Sequence, residues 1–214
     1  MRMNPPAIAI DGPAASGKST VAKLIAKELG FTFINTGAMY RAVTWYVLQQ
    51  GINPADTEAV KAILSNIPLS FGKDGAVSTV MCEGRVLGEE LTLQSTNDNV
   101  STIAAIPEVR ALLVEKQREY NKAEPVVMEG RDIGTVVFPN TPYKYFVTAS
   151  EEVRAARRAA QGLTDSIAER DRKDSARACA PLTKADDAQL VDTSDMSIEQ
   201  VVATIAADIR NRMA

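Results

Sequence analysis

Short apolar runs alternate along this chain with segments whose apolar residues recur at helical spacing. Ala7–Asp11 is apolar except for its closing acid, the pattern of a strand buried on both faces. Lys18–Leu29 carries Val21, Ala22, Leu24, Ile25 and Leu29 at the intervals of a helix, and Gly30 stops it. Residues 31–34 read as a second strand and 39–50 as a helix ended by Gly51. Residues 69–87 change character. Short alternating strands, with Lys73-Asp74-Gly75 as the turn, predict an antiparallel hairpin. Two helices are expected after it, the second from Pro107 to about residue 123. Residues 126–129 and 144–148 read as buried strands, 150–161 as a helix, and the residues onward to 184 as a charged stretch. Gln189–Asp192 predicts a last strand. A closing helix starts at Ser197, where Gln200 completes a capping box.

Strands alternating with helices predict an α/β fold whose parallel sheet is covered on both faces. The hairpin interrupts that alternation, so residues 67–105 are expected to form a small antiparallel insert. A chain of 214 residues suffices for one well-buried domain, residues 1–214, and is short for two. No segment is long and apolar enough to span a bilayer, and the residues before the first strand are too few for a signal peptide.

Composition narrows the chemistry. A net charge of −3 gives no reason to expect a nucleic-acid polymer or an anionic membrane as partner, so any grip on phosphate must come from locally gathered Arg and Lys. Cys82 and Cys179 stand far apart without metal spacing, which suits free thiols in a reduced, cytoplasmic setting. The chain has no histidine. That removes Ser-His-Asp and Cys-His triads and every His-ligated zinc site. Carboxylate, lysine and arginine chemistry remains, which suits phosphoryl transfer.

Gly12-Pro-Ala-Ala-Ser-Gly-Lys-Ser19 matches the phosphate-loop pattern Gly-x-x-x-x-Gly-Lys-[Ser/Thr] at every required position, directly after a strand and opening a helix. Glycines let successive N–H groups turn inward, and the helix N-terminus adds positive potential. Gly12, Pro13, Ala14, Ala15, Ser16, Gly17, Lys18, Ser19 and Thr20 are the expected ATP-binding residues. Lys18 would reach the β- and γ-phosphates, and the Ser19 hydroxyl would ligate Mg²⁺. Lys18 is expected in a solvated loop, so that Lys18→Ala would fold normally while losing most activity. No Asn-Lys-x-Asp motif for reading guanine is present.

Two more loops join glycine to arginine: residues 35–41 after the second strand and 129–135 after a later one, both at strand ends where open α/β sheets bind ligands. Arg154, Arg157 and Arg158 share one helix face, which would equally suit a solvated face paired with Glu151 or Glu152. Trp45 and the few Phe residues read as core.

The start Ile-Asp-Gly-Pro, then Thr-Gly-Ala-Met-Tyr-Arg, Glu-Gly-Arg-Asp-Ile-Gly-Thr-Val-Val-Phe-Pro and Arg-x-x-x-Asp-x-x-Arg-x-x-x-Pro-Leu together resemble the bacterial cytidylate kinases, over nearly the whole chain. The resemblance implies a P-loop nucleoside-monophosphate kinase fold with a five-stranded parallel core, an insert on the monophosphate side and a mobile lid near residues 162–180. It implies transfer from ATP to CMP or dCMP with Mg²⁺; a monomer is expected, though nothing in the sequence speaks to oligomeric state. On matched positions it implies that Arg41 and Arg131 bind the acceptor phosphate, and Thr36 is expected among the CMP-binding residues. Ser101, Arg110 and Asp132 would hold the cytidine, and Arg170, Asp174 and Arg177 would belong to the lid and bind CMP by contacting sugar and phosphates on closure. Lys18, Arg131, Arg170 and Arg177 would carry catalysis. The sequence departs from the family at Asn35 and Glu129, where Asp is usual, and in a shorter stretch between Arg158 and Glu169.

A carboxylate such as Asp132 can accept from the cytosine amine and an arginine such as Arg110 can donate to N3 and O2; uracil would set acceptor against acceptor, a mismatch of roughly 1–3 kcal/mol. Two other readings stay open. One is a phosphotransferase with a different small acceptor on the same core, and the other is a nucleotide-binding module that regulates partner contacts.

Overall fold

The structure, a computed structural model, describes residues 5–160 and 167–213. Five parallel strands make its centre: β1 (Ala7–Asp11), β2 (Thr32–Asn35), β6 (Val126–Gly130), β7 (Tyr143–Thr148) and β8 (Gln189–Asp192), side by side in the order β2-β6-β1-β7-β8. β1 lies in the middle, in register Ile10↔Glu129 with β6 and Ile10↔Tyr145 with β7. Successive side chains on a strand point to opposite faces. Ile8 and Ile10 accordingly meet Val21, Ile25 and Ile205 from α1 (Lys18–Leu29) and α8 (Ile198–Met213) on one face. Ala7 and Ala9 meet Val114 and Ile133 on the other.

The hairpin, β3 (Leu69–Asp74) with β4 (Val77–Cys82) and the short β5 (Arg85–Val86), pairs antiparallel within itself. It is also continuous with the main sheet, because β4 runs parallel to β2 through Phe33↔Val77. A second cluster joins β4 to α2 (Thr36–Gln49), α3 (Thr57–Leu64), α4 (Gln94–Ile103) and α5 (Pro107–Tyr120) through Val43, Val60, Val80, Ile103 and Leu113. Trp45 packs against it, as expected of a core residue.

Local chemistry sets the element ends. Gly30 (φ 70°) closes α1 by donating to Ala26 and Lys27 carbonyls. Asn35 caps α2 by accepting from Ala38 N at 3.0 Å. The capping box at α8 is present, with Ser197 N donating to Gln200 Oε1 at 2.8 Å and Gln200 N to Ser197 Oγ at 3.3 Å.

Two helices were not expected. α3 buries only Val60 and owes its start to the Asp56 cap, which accepts from Ala59 N at 3.0 Å. α7 (Ile167–Ser175) lies within the charged stretch; its one buried apolar residue is Ile167, so no apolar periodicity announces it. Helix α6 (Glu151–Ala160) ends at the edge of the described residues; Gln161, the start of the expected lid at 162–166 and part of the shortened stretch lie outside them. Among the described residues no helix is long and apolar enough to cross a membrane.

Candidate active site

The loops that follow β1, β2 and β6 are stitched together at the carboxyl end of the sheet. Asp11, the last residue of β1, accepts from Ile133 N at 2.8 Å and Gly134 N at 2.7 Å, tying the loop after β6 to β1. Burial pushes its carboxyl up to about 7 against the pull of those two donors. Thr36 Oγ1 donates to Glu129 O at 2.8 Å, tying α2 to β6. Ser19 Oγ donates to Glu129 Oε1 at 2.9 Å, tying the phosphate loop to the same strand.

Residues 12–17 turn back over β1. Gly12 is required there because a Cβ would lie 2.0 Å from the Val147 carbonyl oxygen of β7. Gly17 (φ 87°) makes the left-handed step into α1, and Ala15 (φ 57°) adopts the left-handed region without being glycine. The loop carbonyls are held by cations: Lys18 Nζ donates to Pro13 O at 2.9 Å, Arg131 Nη1 to Gly12 O at 3.1 Å and Arg157 Nη1 to Ser16 O at 3.2 Å.

A cleft of about 240 Å³ opens between the loop and the helices α2, α4, α5 and α7. Of the residues expected to bind ATP, Ala14, Ala15, Gly17, Lys18, Ser19 and Thr20 line it, whereas Gly12, Pro13 and Ser16 shape the turn behind it. Thr36, Arg41, Ser101, Arg110, Arg131, Asp132, Arg170, Asp174 and Arg177 all line it as well. Residues spread over more than 140 positions of sequence are thus brought to one cavity.

Polar bonding divides the cleft wall into two groups. Asp174 accepts from Arg131 Nε at 2.9 Å and Ser101 Oγ at 3.0 Å and pairs with Arg177, drawing α7, α4 and the loop after β6 together. Burial pushes the Asp174 carboxyl up, but Arg131 and Arg177 outweigh it and hold it low. Deeper in, Arg110 pairs with Asp132, donates to Ala104 O at 3.1 Å and lies 5.4 Å from the centre of the Tyr40 ring. Burial works against the Arg110 charge, and Asp132 more than offsets it.

One expectation is corrected and one open alternative is decided. Lys18 is not in a solvated loop: it is 6% exposed at the first turn of α1. Burial, then Arg131, Arg170 and Arg41, bring its ammonium down to about 7 against the opposing pull of Glu129. Arg154, Arg157 and Arg158 do not form a solvated face. Arg154 and Arg157 bond to phosphate-loop carbonyls, and Arg158 is buried and lines the cleft. Helical spacing put the three on one face but could not say what the face meets. Val100 and Ala104 also line the cleft without having been singled out from sequence, and Tyr40 stood inside a quoted motif with no role of its own. Of the three family departures, the two substitutions have visible roles: Asn35 serves as a helix cap and Glu129 reaches Ser19. Cys82 is buried and Cys179 exposed, both as free thiols.

The family model described as Cytidylate kinase matches residues 8–211. The chain belongs to the cytidylate kinase family. A cytidylate kinase of Lactiplantibacillus plantarum is 45% identical over 97% of this chain and 96% of that protein. One of Streptococcus pneumoniae is 45% identical over 96% of this chain and 98% of its own length. Among solved structures, a sugar kinase from Janibacter sp. HTCC2649 superposes with a TM-score of 0.53 at 14% identity, covering 96% of this chain and 95% of that one. A gluconokinase from Sinorhizobium meliloti 1021 gives 0.50 at 16% identity, over 99% and 97%. Those two likenesses speak to the P-loop kinase fold alone.

Proposed function

We propose that this cytidylate kinase family member transfers the γ-phosphoryl group of ATP to CMP and dCMP, giving ADP and CDP or dCDP. The observation that carries the reading is a single cleft with a phosphate loop at one side and a buried Arg110–Asp132 pair at the other, in a chain 45% identical to curated cytidylate kinases. A phosphate oxygen of the monophosphate forms the new bond to the γ-phosphorus, and the bond from that phosphorus to the β-phosphate oxygen breaks. The attacking oxygen is already anionic, so no strong general base is needed; positioning and neutralisation do the work.

Lys18 and the phosphate-loop amides hold the nucleotide tail, Arg41 and Arg131 hold the acceptor phosphate, and Arg170 and Arg177 come to the transferring group. Burial, then Arg170, lowers the Arg41 guanidinium to about 10, against the opposing pull of Glu129. Anionic phosphates relieve this crowding of like charge. Ser101, Arg110, Asp132 and Asp174 hold the nucleoside. The Ser19 hydroxyl and Glu129 carboxylate, 2.9 Å apart, are hard oxygen donors of the kind Mg²⁺ prefers and would be the residues that hold it. When bound, Mg²⁺ neutralises charge on the β- and γ-phosphate oxygens. We further infer a cytoplasmic monomer, to which the unpaired Cys82 and Cys179 are suited.

The test is a coupled assay for ADP across CMP, dCMP, UMP, AMP and GMP. Turnover is expected to be fastest with CMP or dCMP and slower with UMP. Fastest turnover on AMP or GMP would sink the reading.

A further inference from the structure

Asp171, at the middle of α7, reaches across to the phosphate loop. Its Oδ1 accepts from Ala14 N at 2.9 Å, and its Oδ2 pairs with Arg154 of α6. Arg154 completes a triangle by donating to Ala14 O at 3.2 Å and anchors itself on Ala149 O at 3.1 Å. Both faces of one loop residue are therefore held, the N–H by the anion and the carbonyl by the cation. The pair retains only 12% and 17% side-chain exposure, so its charge-assisted bonds are shielded compared with a surface pair.

Neither Asp171 nor Arg154 lines the cleft, so neither belongs to the nucleotide-contacting wall. Their neighbours do: Arg170 adjoins Asp171 in sequence, and Asp174 follows three residues later on α7. The helix has little apolar anchorage beyond Ile167, so polar contacts must locate it. The loop needs locating too, since the residue after Ala14 is the left-handed Ala15. The carboxylate takes the Ala14 amide, upstream of residues 17–19 that open α1, and so leaves the helix N-terminus to the nucleotide.

We propose that Asp171, with Arg154, is a positioning residue that latches α7 to the phosphate loop and so sets Arg170 over the reacting phosphates. The catalytic half of this statement rests on the function proposed above; the latch itself does not.

The test therefore has two arms on the full chain. Hydrogen–deuterium exchange of the nucleotide-free protein should find the Ala14 amide protected, and Asp171→Ala should speed its exchange by about 10-fold or more. In steady-state kinetics Asp171→Ala should lower kcat by about 10- to 100-fold while leaving KM for CMP within about 3-fold, and should raise the share of ATP lost to water. Asp171→Asn, which keeps an acceptor for Ala14 but weakens the Arg154 pair, should fall between. Should Asp171→Ala fail to fold by circular dichroism, Asp171→Asn and Arg154→Ala, which both weaken the pair but keep an acceptor for Ala14, should each show a smaller loss of kcat and a smaller gain in Ala14 exchange, and no change in either would overturn the latch. Unchanged exchange at Ala14 overturns the latch. An unchanged kcat with a lower KM for ATP overturns it as well, since Asp171 would then be a competitor of phosphate. A wild-type chain inactive on every monophosphate would instead remove the proposed function, with the exchange arm still deciding the latch.

Discussion

Lys18 is buried among Arg131, Arg170 and Arg41, and its ammonium titrates near 7 instead of the 10.5 of a free lysine. Between those values the unfolded chain binds a proton that the folded one does not, so this residue's penalty is full below about 7 and fades as pH rises toward 10.5. Lys18→Met should thus raise the melting temperature of the nucleotide-free protein, more at pH 6 than at pH 9, while abolishing turnover. Thermal melts at the two pH values check this, and a less stable variant at pH 6 would contradict it. The Arg110–Asp132 pair behaves in the opposite way. Both partners are nearly inaccessible, so Asp132→Ala strands a buried guanidinium, at a cost of about 3–5 kcal/mol. It should also raise KM for CMP by about 10-fold or more and leave KM for ATP within about 2-fold. Adding Arg110→Met should restore much of the stability in urea melts but none of the CMP use. An equal loss for both substrates would remove Asp132 from the acceptor side.

Elements announce themselves in the chain to the degree that their own residues stabilise them. β1, α1 and the α8 cap were legible because apolar spacing, Gly30 and the Ser197/Gln200 box all act within a few residues. α7 was not, because a bond from the Ala14 amide and an ion pair to Arg131 hold it, and those partners lie far away in sequence. The turn from β1 into the phosphate loop is a close junction between elements. A methyl group on Gly12 would meet the Val147 carbonyl oxygen at 2.0 Å, and a β7 backbone atom cannot rotate aside. Gly12→Ala should therefore lose about 1–3 kcal/mol or more and give up ATP binding in the same step. Gly88→Ala, where no heavy atom lies within 4 Å, is the matching control and should melt like wild type. Calorimetry with ATP on both variants makes the comparison.

Across the whole molecule, cations crowd one cleft in a chain whose net charge is −3. Anions that fill the cleft relieve the repulsion and bind only the folded state. ATP or CMP at a hundred times its dissociation constant should stabilise the protein by about 2.7 kcal/mol, and GMP at equal concentration by less. Thermal-shift titrations measure this, and equal shifts for CMP and GMP would remove base selection from the cleft. The chain by itself determined the strands and most helices, the glycine-dependent phosphate loop and the absence of histidine chemistry, since each depends on residue type and on neighbours within a few positions. The family motifs also nominated the residues that line the cleft. Tertiary structure alone decided that Lys18 is buried, that the Arg154 face meets the phosphate loop, that the hairpin extends the main sheet and that Asp171 meets Ala14. Those facts arise between residues as many as 157 positions apart, where only the packing of the sheet and helices brings charge to charge.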